Sequence, residues 1–96
     1  MIESIARVPT DRPARYIKQL CDHLGRRLAT SAEGDHGTIT FPDGGGTCEL
    51  NGEDGVLVLT AAAPDAESLA RVEDVVGRHL ERFGTRNELT VRWTRS

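Results

Sequence analysis

Two rhythms of apolar and polar residues run along this chain, and their order predicts its elements. Residues 2–8 alternate with a period of two, Ser4, Ala6 and Val8 on one face and Glu3, Ile5 and Arg7 on the other, which is a strand signal. The small residues of the inner face would let a helix sit close. From Pro13 to about Leu28 the period lengthens. Ile17, Leu20, Cys21, Leu24 and Leu28 fall at i, i+3, i+4, i+7 and i+11, the stripe of a helix buried along one side. Thr10 or Asp11 is the expected cap, and Pro13 is tolerated in the first turn. Four short strand candidates follow, at 29–33, 38–42, 47–51 and 56–62. Turns are expected at 34–37 (GDHG), at PDGGG and at NGEDG, where Gly and Asp favour chain reversal. Ile39, Phe41, Cys48 and Leu50 should face inward. Residues 56–62 are apolar on both faces, as suits a central or partly covered strand. A second helical stripe then carries Leu69, Val72, Val76, Leu80 and Phe83, with Asp65 as its cap and Gly84 as its C-cap. Gly77, beside that stripe, suggests a close approach to the sheet. Residues 88–94 return to period two, with Leu89, Val91 and Trp93 inward. The order β-α-β4-α-β predicts an α+β fold, a mainly antiparallel sheet with two helices packed on one face, and argues against a nucleotide-binding α/β enzyme. Cys21, Leu24, Phe41, Leu80, Phe83 and Trp93 are the expected core.

The 96 residues are read as a single domain, 1–96, long enough for one hydrophobic core without staples. Cys21 and Cys48 are too few for a disulfide scaffold and lack zinc spacing, so both read as reduced core thiols. No secretory or membrane-length apolar run is present, which makes a cytoplasmic protein without membrane partners the expectation. A net charge of -3 does not suit a general nucleic-acid binder.

Candidate chemistry is sparse. Arg15, Gln19 and His23 are four apart and share one stripe of the first helix. Such a row could bind a small anionic ligand, since Arg offers forked donors and His adds a proton near neutral pH; equally, it is the solvated edge of an amphipathic helix. His23, His36 and His79 would form a metal site only if folding converged them, and their spacing does not require it, so no metal and no cofactor are expected. His36 is expected at an exposed turn tip. Cys21 and His23, two apart on a helix, point to different faces and cannot form a nucleophile pair. Asp22 with Arg26, Glu67 with Arg71 and Asp74 with Arg78 read as supporting i, i+4 pairs. The DGGG run at 43–46 precedes a strand, which makes it a hairpin loop and not a phosphate cradle. The outer sheet face, with Arg7, Thr38, Thr40, Thr47, Val56, Val58, Thr60, Thr90, Arg92 and Thr94, is either a docking face or an ordinary β-rich surface.

RYIKQLCDH at 15–23, GTITFP at 37–42, HLERFGTRNEL at 79–89 and the closing Trp93 together resemble a small bacterial family of unknown function, DUF2218. The resemblance spans nearly the whole chain in order. It implies a β-α-β4-α-β domain related in layout to TATA-binding-protein-like folds. It also implies an association with siderophore-interacting flavin reductases, and so a link to iron handling. Two positions depart from the family's pattern. Arg26 and Arg27 follow His23 where a second histidine or similar polar residue is common, and Thr85 stands where an aromatic is common. Both departures weaken a metal role for paired histidines in the first helix and an aromatic-lined pocket near Arg86.

The first functional reading is a non-catalytic binding or accessory module, linked to iron or siderophore metabolism, with ligand contacts from Arg15, Gln19, His23, His79 and Arg86. One alternative is a small enzyme using His23 or His79 as acid–base. Another is an assembly module that meets a protein partner or a second copy through the open sheet face.

Overall fold

The computed structural model describes residues 1–83 and 89–95. Its elements run β1 (Ile2–Pro9), α1 (Pro13–Leu24), β2 (Ala29–Glu33), β3 (His36–Thr40), β4 (Thr47–Glu53), β5 (Val56–Ala63), α2 (Ala66–Phe83) and β6 (Thr94–Arg95), with a 3-10 turn at Pro42–Gly44 between β3 and β4. Six strands form one open sheet in the order β2-β3-β4-β5-β1-β6, and every pairing is antiparallel.

Register explains which side chains are buried. Ile39, Cys48, Ala61 and Ser4 lie opposite one another across four strands, and the next inward row is Gly37, Leu50, Leu59 and Ala6. All eight residues are buried. The helices lie over these rows. Ile17, Leu20, Cys21 and Leu24 of α1 and Leu69, Val72, Val76 and Leu80 of α2 are buried, and each fully buried aliphatic side chain contributes about 1.5–3 kcal/mol. Small inner residues let the helices come close. A Cβ on Gly37 would stand 2.7 Å from Ile17 Cγ2 and 3.2 Å from Cys21 Sγ, so α1 rests almost on the β3 backbone. β5 lies between β4 and β1, as its two apolar faces require.

Several boundaries differ from expectation. α1 stops at Leu24 and not at Leu28. The Thr30 hydroxyl donates to the Cys21 carbonyl at 3.1 Å, and the Gly25 N–H donates to the same carbonyl at 2.8 Å; the helix end is closed there. Leu28 is half-buried beyond it. Neither Thr10 nor Asp11 caps α1. Arg12 occupies that position, and the Thr10 hydroxyl accepts the Arg12 N–H at 3.2 Å. Asp65 does cap α2, accepting the Ser68 N–H at 2.7 Å. β3 spans 36–40 rather than 38–42, so His36 begins a strand instead of sitting in the turn, although it is exposed as expected.

The last strand is shortened to two residues, paired with β1 only at Ser4 and Ile5. Leu89, Val91 and Trp93 keep the inward side of the alternation, but they are half-buried and packed against the edge of the core. Phe83 is likewise half-buried. Gly77 marks a close approach to this final segment and not to the sheet proper, because its missing Cβ would stand 3.1 Å from Trp93 Nε1. Gly84 lies outside the described residues. No helix among them is long and apolar enough to cross a membrane.

Candidate functional site

α1 and α2 lie side by side, and their stripes turn one flank of each helix toward the seam between them. His23 sits in the last turn of α1, one residue from the buried Leu24. His79 sits next to the buried Leu80 of α2. Their rings meet across the seam with centroids 5.2 Å apart and planes at 45°. Phe83, one turn beyond His79, meets the His23 ring edge-on at 5.3 Å. His79 Nδ1 donates to the Val75 carbonyl at 2.7 Å. That bond fixes the ring's orientation and leaves Nε2 as the nitrogen available to other groups. His23 is exposed and His79 half-buried, so the pair is held by packing on one side and open to solvent on the other.

Of the five expected ligand contacts, His23 and His79 are brought together. Arg15 and Gln19 are exposed on the same face of α1, below His23. Arg86 lies outside the described residues. His36 stays apart from the other two histidines, near the far edge of the sheet, where its Nδ1 donates to Asn51 Oδ1 at 2.8 Å. Among the described residues no three His, Cys, Asp or Glu side chains are grouped to hold a metal ion. Asp22 does not pair with Arg26; Lys18 reaches it at 3.1 Å. Asp74 and Arg78 form their expected pair at 3.0 Å, and no Glu67–Arg71 ion pair forms among the described residues.

The thiols do not belong to this site. Burial pushes the Cys48 thiol up to about 12, with smaller pushes from Cys21 and Glu49. Burial also raises Cys21, helped by the neighbouring Asp22 carboxylate. Cys21 points into the core and His23 to the surface, as their helical spacing dictates.

The opposite flank of α2 has a different character. A cleft of about 370 Å³ opens between it and the final segment, walled by Glu73, Glu81, Gly77, Val91 and Trp93. Arg15, Gln19, His23 and His79 do not line it. Polar bonds strap the segment across the helix. Arg95 grips Glu73 through two nitrogens, at 2.8 and 3.3 Å, and Glu81 accepts the Val91 N–H at 2.9 Å. The Arg95 guanidinium holds the Glu73 carboxyl below its ordinary range. The Ser4 hydroxyl adds a weaker pull, although it is buried without a close hydrogen bond. Sequence reasoning missed this cleft because it is assembled from α2 and a segment with almost no regular structure. The one available signal was Gly77. Phe83 was missed as a partner of His23 because its spacing assigned it to the core stripe.

The model of DUF2218, described as an uncharacterized protein conserved in bacteria, matches residues 5–94. An NMR structure of PA4090 from Pseudomonas aeruginosa is similar at 32% identity and a TM-score of 0.80, covering 98% of this chain and 96% of that one. No curated protein matches the chain.

Proposed function

The chain belongs to the DUF2218 family, and from that premise we propose that it is a non-catalytic binding module whose ligand side is the α1–α2 seam. The observation that carries this reading is the His23–His79 contact at 5.2 Å. Two polar rings from helices far apart in sequence are brought together at the surface, with one of them oriented by a carbonyl. Arg15 and Gln19 extend the same polar face along α1, and Arg86 completes the proposed contact set. Binding is favoured over catalysis by the state of the reactive groups. Both thiols are buried and held in the protonated form at neutral pH, and Glu73 and Asp74 are engaged in ion pairs.

The link to iron or siderophore handling rests on the family resemblance, and its test is the gene neighbourhood. A flavin-dependent siderophore reductase encoded alongside would support the link, and unrelated neighbours would remove it. The TATA-binding-protein-like relationship likewise rests on the shared element order. The seam itself is tested by amide NMR titration with a panel of sulfate, citrate, zinc and nickel. Shifts should concentrate at residues 19–27 and 75–83. Shifts confined to the cleft or to the outer sheet face, or none with any probe, would overturn the reading.

A further inference from the structure

We infer that the seam binds a small oxyanion, a sulfate-, phosphate- or carboxylate-type group, gripped between the protonated rings of His23 and His79. This deepens the binding reading above and rests on it. With Nδ1 of His79 committed to the Val75 carbonyl, a protonated ring offers its Nε2–H outward. The His23 ring stands beside it, its face or edge steadied by Phe83. Two imidazolium rings with centroids 5.2 Å apart repel one another unless an anion shares their charge.

The surrounding charges favour such a guest. The exposed face of α1 carries Arg15, and Arg26 and Arg27 follow His23 in the turn. Arg82 lies one turn beyond His79 on α2. The carboxylate next to His23 in sequence, Asp22, is occupied by Lys18. Three of the four acidic groups of α2, Glu73, Asp74 and Glu81, line the cleft on its other flank together with Arg78. α2 therefore divides the helical layer into a basic seam and a more acidic cleft. A metal ion would find two imidazoles, with no third His, Cys, Asp or Glu grouped beside them among the described residues, and carboxylate or thiolate support is the usual complement of such sites. An oxyanion finds two rings able to donate, on helices whose exposed residues on that side include arginines.

The site should therefore be proton-linked, because an imidazole carries charge only after taking up a proton. Sulfate is the suitable probe, since its charge does not change between mildly acidic and neutral solution. Calorimetry on the full chain, at ionic strength held constant with sodium chloride, should show sulfate bound at least about tenfold more tightly at mildly acidic pH than at mildly alkaline pH. The His23 and His79 ring signals should move together. His79→Gln keeps a neutral donor and should reduce the pH dependence while leaving the amide spectrum folded; His23→Gln should do the same, and the double variant should abolish it. Arg15→Gln should weaken binding to a similar extent at every pH. Sulfate binding that is independent of pH, or insensitive to both glutamine variants, would mark an adventitious ion only and overturn the inference. Zinc binding at the two rings with sulfate inert would overturn it too, yet leave the seam as the ligand side. Silence from every probe would remove both.

Discussion

At the scale of single residues, burial decides which groups are chemically available. Cys48 is completely buried on β4 and its thiol is pushed up to about 12, so almost none of it is thiolate at neutral pH. Cys21 is raised by the same cause. A thiol reagent at pH 8 should therefore react with Cys48 only as fast as the protein unfolds, and the two rates should converge as denaturant is added. Rapid labelling of Cys48 in the native protein would contradict its placement. Gly77 offers a different test. Alanine in mid-helix gains about 1 kcal/mol over glycine in propensity, but its Cβ would press on the Trp93 indole at 3.1 Å. Trp93 is half-buried beside an open cleft, so it has room to give. Gly77→Ala should leave stability within about 1 kcal/mol of the parent and register as a shift in tryptophan fluorescence. Gly37 has no such room, because its neighbours Ile17 and Cys21 are both buried.

At the scale of elements, that contrast becomes a prediction about how α1 is seated. Gly37→Ala would force a methyl to within 2.7 Å of Ile17 Cγ2, and overpacking of this kind costs about 1–3 kcal/mol. Urea unfolding should show a loss in that range; a neutral result would mean that α1 floats above β3. The seating also shows what could be read from the chain beforehand. Each stripe of apolar residues at helical spacing has only one way to be buried, so the helices, their common face and the inward residues of β3, β4 and β5 were legible. So was Asp65, whose carboxylate cap is a local feature. The end of α1 was not, because it depends on the Thr30 hydroxyl reaching back from β2. The final strand was over-read for the same reason. Its alternation is correct, but only Thr94 and Arg95 find a partner on β1, and the half-buried Val91 and Trp93 lean on α2 around Gly77. The candidate site was half legible. His23 and His79 each carried a visible flank position, yet nothing local announces that residues 56 positions apart, numbers 23 and 79, will touch.

On the scale of the whole molecule, the final segment is a polar clasp on an otherwise apolar assembly, and that division sets the response to acid. Glu73 is held below its ordinary range first by Arg95, with burial opposing and Ser4 assisting. Asp65 is held down by the Ser68 N–H and hydroxyl. A carboxyl whose folded value is depressed binds protons less readily in the folded than in the unfolded chain. Its contribution is therefore complete above the unfolded value, about pH 4 to 4.5 for these groups. It is lost as pH falls through the depressed folded value. The share of stability that these two carboxyls supply should be unchanged from neutrality down to that window and then decline. The two groups report on different parts of the molecule. Asp65 caps a helix whose buried stripe belongs to the central core, so its protonation should lower the stability of the molecule as a whole. Glu73 anchors Arg95 in a strand paired at only two positions, so its protonation should first release the clasp. Hydrogen exchange below about pH 4 would then show Thr94 and Arg95 exchanging well before the amides of β4 and β5, with Trp93 emission shifting to the red in step. Glu73→Gln should bring the early exchange up to neutral pH while leaving the exchange of β4 and β5 close to that of the parent. If the clasp and the central strands instead exchange together under every condition, the final segment is an integral part of the core, and the clasp does not exist as a separate unit.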